Sequence, residues 1–407
     1  MQVSIPSRTT LTPRVRRARR RTEGSKENHE NTTSSRPRVG GRRRRDGPLR
    51  GPALAAPPAG GVPDSSAGSA VFVQTDGLAG NAVVAYDRSA DGSLHQAGTY
   101  PTGGRGGALD GAVVDHLASQ GSLVLDRGLL YAVNAGSNTV TVFAVHGDQL
   151  VRREVIGSGG SFPVSVTAHG GLVYVLNARA GGTVQGYIRV ADFLVRIPVW
   201  NRPLGLDPTL TPEFTHTPGQ VAFTPNGSQV VVTTKGNGSA IDVFGVDRLG
   251  GLSAHPVTNV EPGAVPFAVS FDAGGHLVVA EAGTNAVATF ALASSGVVTP
   301  VATAATGQAA TCWIVRDGSA FYASNAGSGT LSGYADPGTG ALTALGNTAT
   351  GAGTVDASVT ADGTFLYVQT GKDGAVDGFR VNAGGGLTSV GSVVVPGAAG
   401  GEGIAAE

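Results

Sequence analysis

The chain has 407 residues, 64 of them Gly, with 14% charged and 6% aromatic residues. Its formal net charge of +0 is a cancellation: residues 1–68 hold 15 Lys+Arg against 5 Asp+Glu, and residues 69–407 hold 14 against 24. No Gly-X-Y period, no run of about 18 apolar residues and a single cysteine (Cys312) exclude collagen, a membrane-spanning helix and a disulfide framework.

The first segment, residues 1–68, strings Arg16-Arg17, Arg19-Arg20-Arg21 and Arg42-Arg43-Arg44-Arg45 among Pro, Gly, Ser and Thr. It has few large apolar side chains and no periodicity, so it is expected to be a disordered tail. No aromatic residue interleaves the arginines, which leaves no base-stacking platform. The stretch Pro48 to Pro58 is too short and too broken for the apolar region of an export signal. The compartment is therefore unknown from sequence: cytoplasmic by default, exported if the N-terminus is misassigned.

From residue 70 the chain repeats one unit. The copies begin Ala70-Val71-Phe72-Val73, Leu129-Leu130-Tyr131-Ala132, Gly171-Leu172-Val173-Tyr174, Gln229-Val230-Val231-Val232, His276-Leu277-Val278-Val279, Ala320-Phe321-Tyr322-Ala323 and Phe365-Leu366-Tyr367-Val368. A partner strand follows each, as at Thr139 to Val145. A third element lies between copies: Val164 to Thr167, Gln220 to Phe223, Ala268 to Phe271, Cys312 to Val315 and Ala357 to Thr360. Turns such as Asn226-Gly227 and Asp362-Gly363 follow it, pairs that tolerate positive φ and mark hairpins. A fourth strand is expected after the pairs Gly251-Leu252 and Gly386-Leu387.

Most copies recur about every 45 residues, the period of a four-stranded propeller blade. The fold predicted is all-β: a seven-bladed β-propeller over residues 69–407. The first copy lacks an inner strand, and residues Gly400 to Ala406 align with the inner-strand element. The C-terminus is thus expected to complete the first blade and to remove two free sheet edges.

The segments Tyr131-Ala132-Val133-Asn134 and Tyr322-Ala323-Ser324-Asn325 resemble the Tyr-Val-x-Asn repeat of the lactonase family of seven-bladed propellers, which includes the propeller-type 6-phosphogluconolactonase. The resemblance spans residues 70–407. It implies metal-free hydrolysis of a sugar lactone or related cyclic ester. Non-catalytic propellers that bind a ligand or a protein share the repeat, and a carboxymuconate-type lactone cyclase or isomerase is a third alternative. The phosphogluconolactonase branch carries Pro-Arg-His where inner strands begin. Here those places read Pro218-Gly219-Gln220, Pro266-Phe267-Ala268 and Pro163-Val164-Ser165, without the Arg-His suited to a phosphate.

Two long connections, roughly 101–120 and 196–218, join the outer strand of one blade to the inner strand of the next. Propeller topology puts both on one face, and long loops in compact domains are commonly functional. Lactone hydrolysis needs a base for water and a donor for the oxyanion. His116 and His216 are the candidate bases. Arg105 and Arg202 are candidate substrate-binding cations, with Asp115, Glu213 and Gln220 beside them. Asp356 and Glu402 share one column of the inner-strand element and are a candidate acid/base pair. Asn134, Asn177, Glu281 and Asn325 end second strands and could ring a Ca²⁺, but Asx-turn chemistry explains them without metal. No cofactor is expected. The expected partner is a small lactone or sugar-derived ligand, with no nucleic acid, no membrane span and a monomeric state.

Overall fold

The structure is a computed structural model that describes residues 69–407. The tail expected to be disordered, residues 1–68, lies outside the described residues. Those described fall within one unit, Gly61–Glu407.

Seven four-stranded antiparallel sheets form the ring. Their inner strands are Leu123–Asp126, Pro163–His169, Val221–Phe223, Pro266–Phe271, Thr311–Asp317 and Thr354–Val359 in blades 2 to 7, and Ile404–Ala406 in blade 1. The last of these pairs with the first strand of the chain: Val71 stands opposite Ala406 and Val73 opposite Ile404. The propeller therefore closes with strands from both ends of the repeat region, as its sequence implied. Each second strand is an apolar run buried on both faces, as in Leu129–Asn134, Ala320–Asn325 and Phe365–Thr370. Alternation is lost there because every blade packs against two neighbours.

The turns follow their residues. Asn226 Oδ1 accepts the Ser228 N–H at 3.0 Å and Asp362 Oδ1 the Thr364 N–H at 2.9 Å, with Gly227 and Gly363 at φ 68° and 67°. Tyrosines of the second strands tie blade to blade. Tyr322 donates to Gly385 O at 2.9 Å and Tyr367 to Gly92 O at 2.8 Å, and Tyr174 donates likewise to Gly250 O. Gly92 has φ 93°, and a Cβ there would lie 2.3 Å from the Phe365 ring. Only glycine lets this hairpin approach the next blade.

Two expectations shift. The outer strand of blade 3 is Phe193–Pro203, so the second insertion begins only after residue 203. In blade 4 Leu252 makes a single bridge to Val246, and the outer strand is Val257–Val260. Among the described residues no helix is long and apolar enough to cross a membrane.

Candidate active site

The first insertion does not stand open around the channel mouth; it crosses the axis of the ring. His116 N–H bonds Gly400 O beside blade 1 at 2.8 Å. Ser119 Oγ donates to Val164 O of blade 3 at 2.8 Å, and Gln120 N–H to Gly219 O beside blade 4 at 3.1 Å. On the other side, Trp313 Nε1 of blade 6 donates to Ser119 O at 2.6 Å. Gln120 exchanges two bonds with Ile314, of 3.0 and 2.8 Å. A segment bonded to blades on opposite sides of a ring must lie on its axis, so residues 109–121 plug the channel. Leu117 and Ser119 are fully buried in it.

The second insertion packs on the first. Glu213 opens a short helix, Glu213–His216, and accepts the Asp110 N–H at 2.9 Å and Arg179 Nε at 2.6 Å. These bonds hold the Glu213 carboxyl below the usual range. Lys235 joins the two insertions: its Nζ donates to Ala118 O (2.7 Å), Phe214 O (2.6 Å) and Thr217 Oγ1 (3.0 Å). Three hydrogen-bond partners suit the ammonium, which has three protons to give. Burial nevertheless pulls its pKa down to about 7, against the opposing charge of Asp115.

Four buried carboxyl groups gather at the plug, one of them, Asp115, part of it. Asp115 accepts the N–H groups of Leu117 (2.7 Å) and Ser119 (2.9 Å). Asp76 accepts Gln74 Nε2 (2.6 Å) and the Glu402 N–H (2.8 Å). Glu402 Oε2 accepts Ser119 Oγ at 3.3 Å, and its carboxyl is hydrogen-bonded to that of Asp356. Burial raises all four: Asp76 to about 8, Asp115 to about 7 and Asp356 to about 6. Glu402 goes well above its ordinary value through burial and then the charges of Asp356, Asp115 and Asp76. Of the pair, Glu402 is pushed up further by burial and by its acidic neighbours, so Asp356 is the readier of the two to ionise.

Asp356 is the member of this pair that reaches open space. It is 4% exposed and lines a cavity of about 290 Å³ in the channel, whose floor is Gln120 and Gly121 of the plug. Gln220 lines the same cavity, its Oε1 fixed by the Val269 N–H at 2.6 Å. A separate cleft of about 210 Å³ lies between the outer parts of blades 7 and 1. Its only titratable side chain is Tyr367, which is bound to Gly92, so it offers no base.

The structure thus brings together Asp356, Glu402, Asp115 and Gln220 of the residues named from sequence. The others fall elsewhere. His116 is half-buried against Gly400, with burial lowering its pKa and its Nδ1 without a partner. His216 turns its Nδ1 to Pro212 O and Thr215 Oγ1, each at 2.9 Å, in a small cleft with Arg179, Asp207 and Glu213. Arg105 is exposed beside Gly136 and Ser137. Arg202 belongs to the outer strand of blade 3 and spends its guanidinium on the carbonyls of Val199, Asn201, Leu252 and Ser253. The Asn column is engaged near its own hairpins: Asn134 Nδ2 donates to Thr139 and Thr141, and Asn325 Nδ2 to Thr330 and Ser332. Asp76 and Lys235 were not singled out from sequence. Lys235, one of two lysines after residue 68, was the available signal.

Residues 215–400 match the family described as Lactonase, 7-bladed beta-propeller. No curated protein matches the chain. Among solved structures, a candidate 6-phosphogluconolactonase from Bacteroides fragilis is similar at TM-score 0.64 and 18% identity, over 84% of this chain and 99% of its own. The periplasmic gluconolactonase of Pseudomonas aeruginosa gives TM-score 0.64 and 18% identity, over 82% and 98%. A protein from Lactobacillus plantarum gives TM-score 0.64 and 19% identity, over 83% and 98%. At such identities these three likenesses are likenesses of fold. The family match over residues 215–400 and the seven closed blades bear out the resemblance to the lactonase family of propellers carried by the Tyr-Val-x-Asn repeats.

Proposed function

We propose that the propeller hydrolyses a lactone in the channel cavity, with Asp356 as general base. The observation that carries this is Asp356, a residue of the cavity wall whose carboxyl is hydrogen-bonded to that of Glu402. A base works best when its pKa lies near the working pH, and burial brings Asp356 to about 6. The family match supports the same chemistry.

The steps follow from the groups present. A water beside Asp356 attacks the lactone carbonyl carbon while Asp356 takes its proton. The Nε2 of Gln220 donates to the carbonyl oxygen as negative charge develops there. The ring C–O bond then breaks, and the departing alkoxide takes the proton back from Asp356. The product is a hydroxy acid, which releases one proton as it ionises at neutral pH. Glu402 holds the Asp356 carboxyl in place through the bond between them. A volume of about 290 Å³ is at the low end of small-ligand sites, which run to ~1,000 Å³, and suits a single-ring lactone.

The test is proton release at constant pH with a panel of lactones, using the full chain and Asp356→Asn. Turnover that the variant loses supports this reading. Turnover that survives places the base elsewhere, and no turnover on any lactone favours a binding propeller.

A further inference from the structure

The channel has two ends, and they differ. The inner strands are buried where they begin, under the insertions, and half-exposed where they finish. The pattern recurs in Leu123–Asp126, Pro163–His169, Thr311–Asp317 and Thr354–Val359. The plug explains the buried end. The Asp356 cavity lies on the other side of it, walled by the exposed finishes of these strands, such as Thr167, Ala168 and Ala357. A wider cleft of about 590 Å³ adjoins it, sharing Leu123, Val124, Leu125 and Ile404.

The charges of the inner cavity are one-sided. The cavity lining holds two carboxylates, Asp356 and Asp126, and no Lys or Arg. Two arginines near the mouth are associated with Asp126, and one of them, Arg127, lines the wider cleft. Arg189 donates to Asp126 Oδ2 at 3.5 Å and to the carbonyls of Asp126 and Arg127. Arg127 stands 4.0 Å from the same carboxylate. Lys235 is beyond the plug, its three protons engaged. Arg189 and Arg127 offset Asp126 at the rim, but an anionic substrate seated in the cavity itself would lie beside the buried Asp356 with no Lys or Arg in the lining, and a buried charge without a partner is strongly disfavoured.

We infer that the working mouth of the channel is the face opposite the two insertions, and that it admits uncharged lactones rather than phosphorylated or carboxylated ones. This rests on the lactonase reading of the Asp356 cavity. The insertions that looked like the binding loops act instead as a stopper that forms the floor.

The test uses thiol labelling, since the chain's one cysteine, Cys312, is buried. Cysteine is placed in the open mouth by Ala357→Cys, with Ala168→Cys as a second variant should the first not fold. On the insertion face it is placed by Val113→Cys, at a side chain 81% exposed on the outside of the plug. Each full-length variant is treated with N-ethylmaleimide and assayed on an uncharged lactone and its phosphorylated counterpart. The inference expects labelling in the open mouth to abolish turnover and labelling at residue 113 to leave it unchanged. It expects kcat/KM on the phosphorylated lactone to be at least ~100-fold lower, the scale a mismatched polar group commands. Turnover that persists after labelling at residue 357 or 168, or that is lost after labelling at residue 113, overturns the route. Equal use of the two lactones overturns the charge selectivity. Absence of turnover in the untreated parent protein would instead remove the lactonase reading itself.

Discussion

Asp356 and Glu402 meet carboxyl to carboxyl at the channel floor, one from the inner strand of blade 7 and the other from the segment that leads into the closing strand of blade 1. Ring closure makes this contact. Ile404–Ala406 must pair with Ala70–Gln74 before Glu402 can reach its partner, so this carboxyl pair exists only in the closed propeller. Burial raises both groups, Glu402 well above its ordinary value and Asp356 to about 6.

The pH dependence of turnover follows from Asp356. A base must be ionised to take a proton from water, and burial raises Asp356 to about 6. We expect kcat/KM to fall as the pH is lowered through about 6 and to flatten above it. A limb near the ordinary carboxylate value in a pH–rate profile would count against Asp356.

Stability should run opposite to the usual acid denaturation. Asp76, Asp115, Asp356 and Glu402 all have pKa values raised by burial. Between the ordinary carboxylate value and their folded values, the native state holds more protons than the unfolded chain. Its stability therefore falls as pH rises across that window. Melting at pH 5 should come several degrees above melting at pH 8, and Glu402→Gln should reduce the difference.

Lys235 ties the plug to the second insertion, and its partners are backbone carbonyls of both. Lys235→Met should destabilise the fold by ~3–5 kcal/mol, because the buried Asp115 loses its counter-charge. The double variant with Asp115→Asn should recover part of that loss. Denaturant titration of the three proteins gives the coupling directly.

Ile404 is 4% exposed and packs with Val71, Val73 and Tyr367 where the ring closes. Ile404→Asp buries a charge there and breaks the seal. We expect a loss of ~4 kcal/mol or more, read by the same titration.

The repeat made the fold readable. Apolar runs, Asn-Gly and Asp-Gly turns and the strand missing from blade 1 each follow from local residue chemistry, and each appears where expected. The candidate site was legible only in part. Asp356 and Glu402 stood out because they occupy one column of a repeated element, and the structure brings their carboxyls together. The plug was hidden, because nothing in Leu117, Ala118, Ser119 and Gln120 says that their partners are Trp313 and Ile314, on the far side of the ring. Loop length located the insertion, but its path depends on contacts 194 residues away in sequence. His116, His216, Arg105 and Arg202 stood out by residue type and by their place in the two long connections. The structure engages His216 and Arg202 with local acceptors, packs His116 against Gly400 and leaves Arg105 exposed.

The measurement closest to the central claim is the steady-state rate of Asp356→Asn on an uncharged lactone, beside the parent protein and Glu402→Gln. Asparagine keeps the shape of residue 356 and removes the base. The account predicts a fall in kcat of ~10²–10⁴-fold for Asp356→Asn, with an unchanged melting curve at pH 5. It predicts near-parent activity for Glu402→Gln, whose amide can still donate to Asp356. An Asp356→Asn protein that turns over at the parental rate would contradict the account.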